Sequence, residues 1–364
     1  FASGTAINSG SNNTFVGNAS GVAQTSASNN VLIGGDAGAA LTTGGDNVFI
    51  GYTAGDGHDA ETNNIGIGKA ALGGSVAGGE YNVAIGNASL DALTSADFNT
   101  ALGYNAGSAI TTGAKNTILG AEAGEALVST PLNVIIGYAA AKAATTAAYN
   151  VIVGAEAVTT GVLTGNNNVI LGYEAGKVMT SGANNTHLGY QAGDTLTTGD
   201  QNIFIGALVD PSGNDAQHQI VIGYNIAAGE DNQVIFGKPS NTVANEFDTD
   251  NAWTQSSDVR KKKNIKDAIL GLDFVNDLRP VTYEWRPNNE FPKDFAEYSE
   301  ENHMTLGVTM HGMIAQEVKT ALDKTGVDRF GGWQEDEDGC QRLSKEMFVM
   351  PLIKAVQELS AQVT

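Results

Sequence analysis

Asn116-Thr117-Ile118-Leu119-Gly120 and, seventeen residues later, Asn133-Val134-Ile135-Ile136-Gly137 are two copies of one unit, Asn-x-φ-φ-Gly, with φ mostly large and apolar. Outward from this pair the unit recurs in both directions, as Asn13-Thr-Phe-Val-Gly17 and Asn30-Val-Leu-Ile-Gly34 near the start. Its closing glycines fall at Gly17, Gly34, Gly51, Gly68, Gly86, Gly103, Gly120, Gly137, Gly154, Gly172, Gly189, Gly206, Gly223 and Gly237. The gaps are 17 residues except for two of 18 and a last one of 14. Fourteen copies at so constant a period define a repeat architecture.

Each copy continues as Gly-(Tyr/Ala)-x-(Ala/Ser)-Gly, and several then read Leu-Thr-Thr-Gly, as at Leu41–Gly44 and Leu196–Gly199. A β-branched strand, a small-residue corner and a Thr-Thr-Gly turn make one short coil of parallel β-structure. A coil of 17 residues cannot bury its own apolar face, so coils stack. Thirteen steps at the usual strand spacing give a stack of roughly 60 Å.

The residues before the glycines (Val16, Ile33, Ile50, Ile67, Ile85, Leu102, Leu119, Ile136) are all large and apolar, and the expectation is that they line the coil interior. The position before them points the other way, yet it is also mostly apolar: Phe15, Leu32, Phe49, Ile118, Ile135, Ile152, Ile170, Phe204 and Val221. A strand apolar on both faces is buried on both. That second row is therefore expected to face partner chains, with a threefold bundle as the natural closed arrangement. Asn or Gln opens every copy, the composition of a stacked amide ladder.

These elements resemble the head repeats of trimeric autotransporter adhesins, with their Asn-Ser-φ-Ala-φ-Gly and Ser-x-Ala-x-Gly motifs, which recur in many phage tail fibres. The likeness covers about two thirds of the chain, although the period here is longer than in those heads.

The composition agrees with an extended, soluble shaft. The chain has 364 residues and a formal charge of −21, of which residues 1–250 hold −16 (5 Lys, no Arg, 21 Asp plus Glu). So negative a surface repels phosphate backbones, which argues against a nucleic-acid partner. No stretch has the length and apolarity of a membrane span, and no signal peptide is visible; membrane insertion is not expected. The chain begins at Phe1, inside the pattern, which reads as a piece of something longer. A single cysteine, Cys340, excludes an intrachain disulfide and reads as a structural thiol.

After Phe247 arginine appears for the first time, glycine thins out and helix-period segments begin. Ser257-Asp258-Val-Arg260-Lys-Lys262-Lys-Asn264-Ile265 resembles the opening motif Ser-Asp-x-Arg-x-Lys-x-Asn-Ile of the intramolecular chaperones of phage endosialidases and tail fibres, which are also classed as self-cleaving serine peptidases. Leu278-Arg-Pro-Val-Thr-Tyr-Glu-Trp285, Gly312-Met-Ile-Ala-Gln-Glu-Val318 and Leu352-Ile-Lys-Ala-Val-Gln-Glu-Leu359 follow in that family's order, so the likeness spans roughly 252–364. It implies a Ser257–Lys262 dyad, with Asp258, Arg260 and Asn264 supporting its geometry and a cut between Ser256 and Ser257 once a trimer has formed. A serine hydroxyl needs a base, and a desolvated lysine can be one. Read by charge alone, residues 260–263 are a solvated basic run.

The last segment spaces Val349, Leu352, Val356, Leu359 and Val363 as an a/d seam, which predicts a short trimeric coiled coil. Met310, Met313, Ile314 and Val318 are read as a second apolar helix face, and Phe330–Gly339 as a hairpin with an acidic turn. His187, in Asn185-Thr-His-Leu-Gly189, occupies the row assigned to partner chains, so three copies around an axis are a candidate metal or anion site; no cofactor is expected. The tyrosines following the glycines (Tyr52, Tyr104, Tyr138, Tyr173, Tyr190, Tyr224) offer stacking faces for sugars or, as their regularity favours, coil-on-coil packing.

The expected fold is thus mainly β: a trimeric parallel β-roll or β-solenoid shaft over 1–247, then an α+β chaperone domain over 248–364 ending in a coiled-coil helix. The expected function is that of a distal tail fibre of a virion, assembled in the host cytoplasm and matured by self-cleavage, with at most a single-turnover peptidase activity. Its expected partners are two further copies, a glycan or protein receptor on the host surface, and other tail proteins reached through a preceding part. Two alternatives stand beside it. A bacterial trimeric adhesin is expected to end in a membrane-anchor barrel, where this chain shows a chaperone-like helix. A capsule-depolymerising tailspike needs a carboxylate pair that no local motif supplies.

Overall fold

The computed structural model describes residues 3–75, 77–246, 259–295, 297–302, 304 and 306–363. The chain divides into two compact units, Phe1–Ser256 and Ser257–Thr364.

The first unit is a β-solenoid with one short strand per coil. Among the described residues its sheet has fifteen strands, stacked in sequence order from Thr14–Val16 to Asn241–Glu246. All neighbours are parallel except the last pair, where Gln233–Lys238 and Asn241–Glu246 close the sheet as an antiparallel hairpin. Register follows the period, so that Ile118 pairs with Ile135, and Ile135 with Ile152.

The opening asparagines form the expected ladder. Asn133 donates its backbone N–H to Oδ1 of Asn116 at 3.0 Å and its Nδ2 to the carbonyl of Ala147 at 2.9 Å. Asn185 and Asn202 repeat this at 2.9 Å and 2.7 Å. Each buried amide thereby occupies backbone groups of two coils, and losing one strands a buried N–H at a cost of about 1–3 kcal/mol. The closing glycines are fixed by crowding. At Gly120, φ is +139° and a Cβ would lie 2.3 Å from the carbonyl oxygen of Gly137 in the next coil. No side chain fits there.

The strand faces are the reverse of the sequence expectation. The middle residue of each strand is the buried one: Leu32, Phe49, Ile118, Ile135, Ile152, Ile170, Phe204 and Val221 are at most 1% exposed. They pack inside their own coil against a corner row (Ala37, Ala54, Ala106, Ala123) and a turn row (Leu41, Leu93, Ile110, Leu127). The residues before the glycines point outward, with Leu102, Leu119 and Leu188 40–44% exposed and Ile33, Ile50 and Ile136 half-buried. First strand positions (Val31, Val48, Val134, Val151) share that outer face. The physical reason is volume: a coil this thin holds one strand side chain, and two flanking ones must leave it.

The second unit is a small α+β assembly. Helices α1 (Leu272–Asp277), α2 (Ala315–Lys324) and α3 (Val349–Val363) accompany two antiparallel pairs, Val281–Tyr283 with Met310–Gly312 and Trp333–Glu335 with Gln341–Leu343. Leu270, Phe274, Val318, Ala321, Leu322 and Phe348 form its core. The acidic turn from Asp336 to Cys340 closes the expected hairpin, with the Asp336 N–H donating to the Cys340 carbonyl at 2.9 Å. The Met310–Val318 segment is corrected: Met310 lies in a strand, α2 begins at Ala315, and only Val318 of the four is in the helix and buried.

Candidate functional site

The motif residues of the second unit meet in space. Arg279, from the Leu278–Trp285 motif, places Nε and Nη2 at 3.0 and 2.5 Å from the two carboxylate oxygens of Glu317, from the Gly312–Val318 motif. The strands Val281–Tyr283 and Met310–Gly312 pair the same two motifs through the backbone. From the Leu352–Leu359 motif, Glu358 of α3 accepts the Leu272 N–H at the start of α1 at 2.7 Å, satisfying an orphan helix donor. Gly271 makes room for it, since a Cβ there would meet that carboxylate at 2.2 Å. Sequence reading missed both contacts, although Arg279, Glu317 and Glu358 all stand inside the quoted motifs.

The first motif is described in part. Val259–Lys261 form a 3₁₀ turn that the Lys262 N–H extends by donating to the Val259 carbonyl at 3.1 Å. Arg260, Lys262 and Asn264 are exposed in the single chain, with Asn264 in the left-handed region at φ 55°. The segment from Lys263 to Ile269 is exposed and carries Ile265 and Ile269 at 64% and 70% exposure. Ser256, Ser257 and Asp258, which carry the expected cut and nucleophile, lie outside the described residues.

Residues 257–327 match the family model for the chaperone of endosialidase. The match includes the opening motif and the two motifs joined by Arg279 and Glu317, and it ends before α3. A search of curated proteins and a search of solved structures return no match. The chain therefore carries a C-terminal domain resembling the endosialidase chaperone, preceded by a β-solenoid repeat region.

On α3 the packed side is Pro351 and Ala355, while Val349, Leu352, Val356, Leu359 and Val363 are 47–83% exposed. No helix among the described residues is long and apolar enough to cross a membrane.

His187 is corrected. Its ring is fully buried inside its own coil, tilted against Phe204 at 5.1 Å, so it lies on the inward row and cannot meet two partner copies on an axis. By hydrogen-bond geometry neither ring nitrogen has a partner, and burial lowers the pKa to about 4, with the Ala192 backbone opposing. His58 is its counterpart in the turn row, fully buried against Phe49 at 4.8 Å and also lowered to about 4 by burial, with Glu61 opposing. No cluster of three or more His, Cys, Asp or Glu side chains among the described residues has the geometry of a metal site. Burial pushes the Cys340 thiol up, away from the reactive thiolate.

One carboxylate pair emerges that sequence reading did not assign. Burial, and then the charge of Asp194 nearby, raise Asp210 to about 6.

Proposed function

We propose that this chain is the distal, receptor-binding part of a virion tail fibre, a homotrimer whose C-terminal chaperone drives assembly and then cuts itself off between Ser256 and Ser257. The observation that carries this reading is the endosialidase-chaperone match beginning at residue 257, directly after the repeat shaft. Two surfaces support the trimer. The outer sheet face presents one or two apolar side chains per coil, on the order of 1,000 Å² per chain, the size class of a stable subunit interface. The α3 seam is a second apolar stripe left open by the single chain.

In this reading Lys262 accepts the proton of Ser257 as the hydroxyl attacks the Ser256 carbonyl, and water resolves the resulting ester. Lys262 is exposed in the single chain, and in this reading assembly of the trimer encloses it beside the serine. Arg260, Asp258 and Asn264 hold the local backbone. The fibre is assembled in the host cytoplasm, and its partners are a host-surface receptor and other tail proteins.

Denaturing mass spectrometry of the expressed protein tests the reading. Pieces of 256 and 108 residues are expected from the wild type. Ser257→Ala and Lys262→Ala should each give an intact, trimeric chain. An intact wild type under native conditions, or a cut Ser257→Ala, overturns the dyad.

A further inference from the structure

Resting on the reading of the shaft as a receptor-binding fibre, we propose that its side from Tyr104 to Tyr190 is a binding stripe for an extended, uncharged polysaccharide. The residue after each closing glycine forms a row that runs Tyr104, Ala121, Tyr138, Ala155, Tyr173, Tyr190 over consecutive coils. Exposure of the four rings is 54%, 55%, 45% and 49%, so each keeps about half its surface in water. Tyrosines two coils apart stand two strand spacings from each other, ~9.6 Å, about the length of two pyranose rings linked end to end. The alanines between them keep the ground low. Tyr173 and Tyr190, on adjacent coils, stack with centroids 5.8 Å apart.

Polar groups are fixed beside the rings by the coil geometry itself. Glu122, Glu156 and Gln191 donate their backbone N–H to the carbonyls of Tyr104, Tyr138 and Tyr173 at 2.8, 2.9 and 2.9 Å. Their side chains therefore sit one coil above a tyrosine. Several are already held: Lys142 donates to Glu122 at 2.7 Å, and Glu174 accepts from Lys177 at 2.5 Å and from Gln191 at 2.6 Å. Rigid aromatic faces alternating with preset donors and acceptors match a ligand that is apolar on its ring faces and hydroxylated at its rim. The order already present lowers the entropy cost of binding.

Area and charge choose the occupant. Four half-exposed rings offer on the order of 400 Å², about half of what each partner contributes to a stable protein interface. Over residues 104–190 Glu122, Glu125, Glu156 and Glu174 outnumber Lys115, Lys142 and Lys177 by one, within the 1–250 stretch that totals −16, and this disfavours anionic polymers.

An array of linear oligosaccharides, neutral and uronic-acid-containing, probed with the full-length trimer, tests the stripe. Binding is expected on neutral extended chains, weakened about tenfold or more in Tyr138→Ala/Tyr173→Ala, and unchanged in Tyr52→Ala, which lies in the same row outside the stripe. The proposal is overturned by a wild type that binds no neutral glycan, by binding confined to uronic acids, or by a double variant that binds like wild type. A double variant that no longer sediments as a trimer also overturns it, by making the row a subunit contact. Adsorption to a panel of bacterial strains separates this from the parent reading. Undiminished adsorption of the double variant removes the stripe and leaves the fibre; a wild type that adsorbs to none removes both.

Discussion

His187 fills the place that Ile170 and Phe204 fill in the coils on either side, and His58 the place of Leu41 and Leu93. Both rings are buried, unpartnered and neutral, with pKa lowered from 6.5 to about 4. Between these values the unfolded chain binds protons that the folded coil refuses. The stability of the coil is therefore complete above pH ~6.5 and declines as pH falls toward ~4, by up to roughly 3 kcal/mol per histidine. Asp210 acts in the opposite sense, since its carboxyl is raised from 3.8 to about 6 and its contribution declines as pH rises through that window. In scanning calorimetry at matched rates, His187→Ile should lose less of its transition temperature between pH 7 and pH 4.5 than wild type. Equal losses would show that the ring is not the acid-labile group. Sequence alone placed this residue on the wrong face, because most of the three-residue strands are apolar at every position and so carry no polar marker of the outside. The marker lay one place earlier: Thr14, Thr100, Thr117 and Thr186 open their strands, and the first position shares a face with the third.

Among the elements, the strands and the asparagine ladder were legible because the period repeats them, which averages out the ambiguity of any single short strand. The Met310–Val318 segment occurs once, and its helical spacing concealed a strand of three residues followed by a turn. The site was legible only as a motif: side chains joined across 38 residues, such as Arg279 and Glu317, leave no local trace. The corrected strand faces make a paired prediction. Ile135→Asp puts a carboxylate into a coil interior only 1% exposed, where no cation is available, and should abolish folding of the shaft. Ile136→Asp with Val153→Asp alters only the half-buried outer face, and should leave β-structure by circular dichroism while preventing trimers in sedimentation. If the outer pair sediments as a trimer, that face is not the subunit contact.

For the whole molecule, the regularity that makes the shaft easy to read makes it hard to assemble. In the proposed trimer, sliding one chain by one coil along two others would place apolar strand on apolar strand and lose only the contacts of a terminal coil. Many registers are then close in energy, the landscape of a frustrated repeat rather than a funnel. In the proposed trimer the non-repeating second unit would break the degeneracy, since its α3 seam would align in one way and set the register before the coils close. Once closed, such a shaft would no longer need it, and its loss would leave a state held by a barrier rather than by ready re-equilibration. Intact Ser257→Ala trimers and isolated 1–256 trimers should therefore unfold at similar rates in denaturant. On dilution the intact chain should recover trimers, and the cut shaft roughly tenfold fewer or worse, with the balance in misregistered aggregates. Equal recovery from the two forms would mean that the coils find their own register and that the C-terminal unit serves some other purpose.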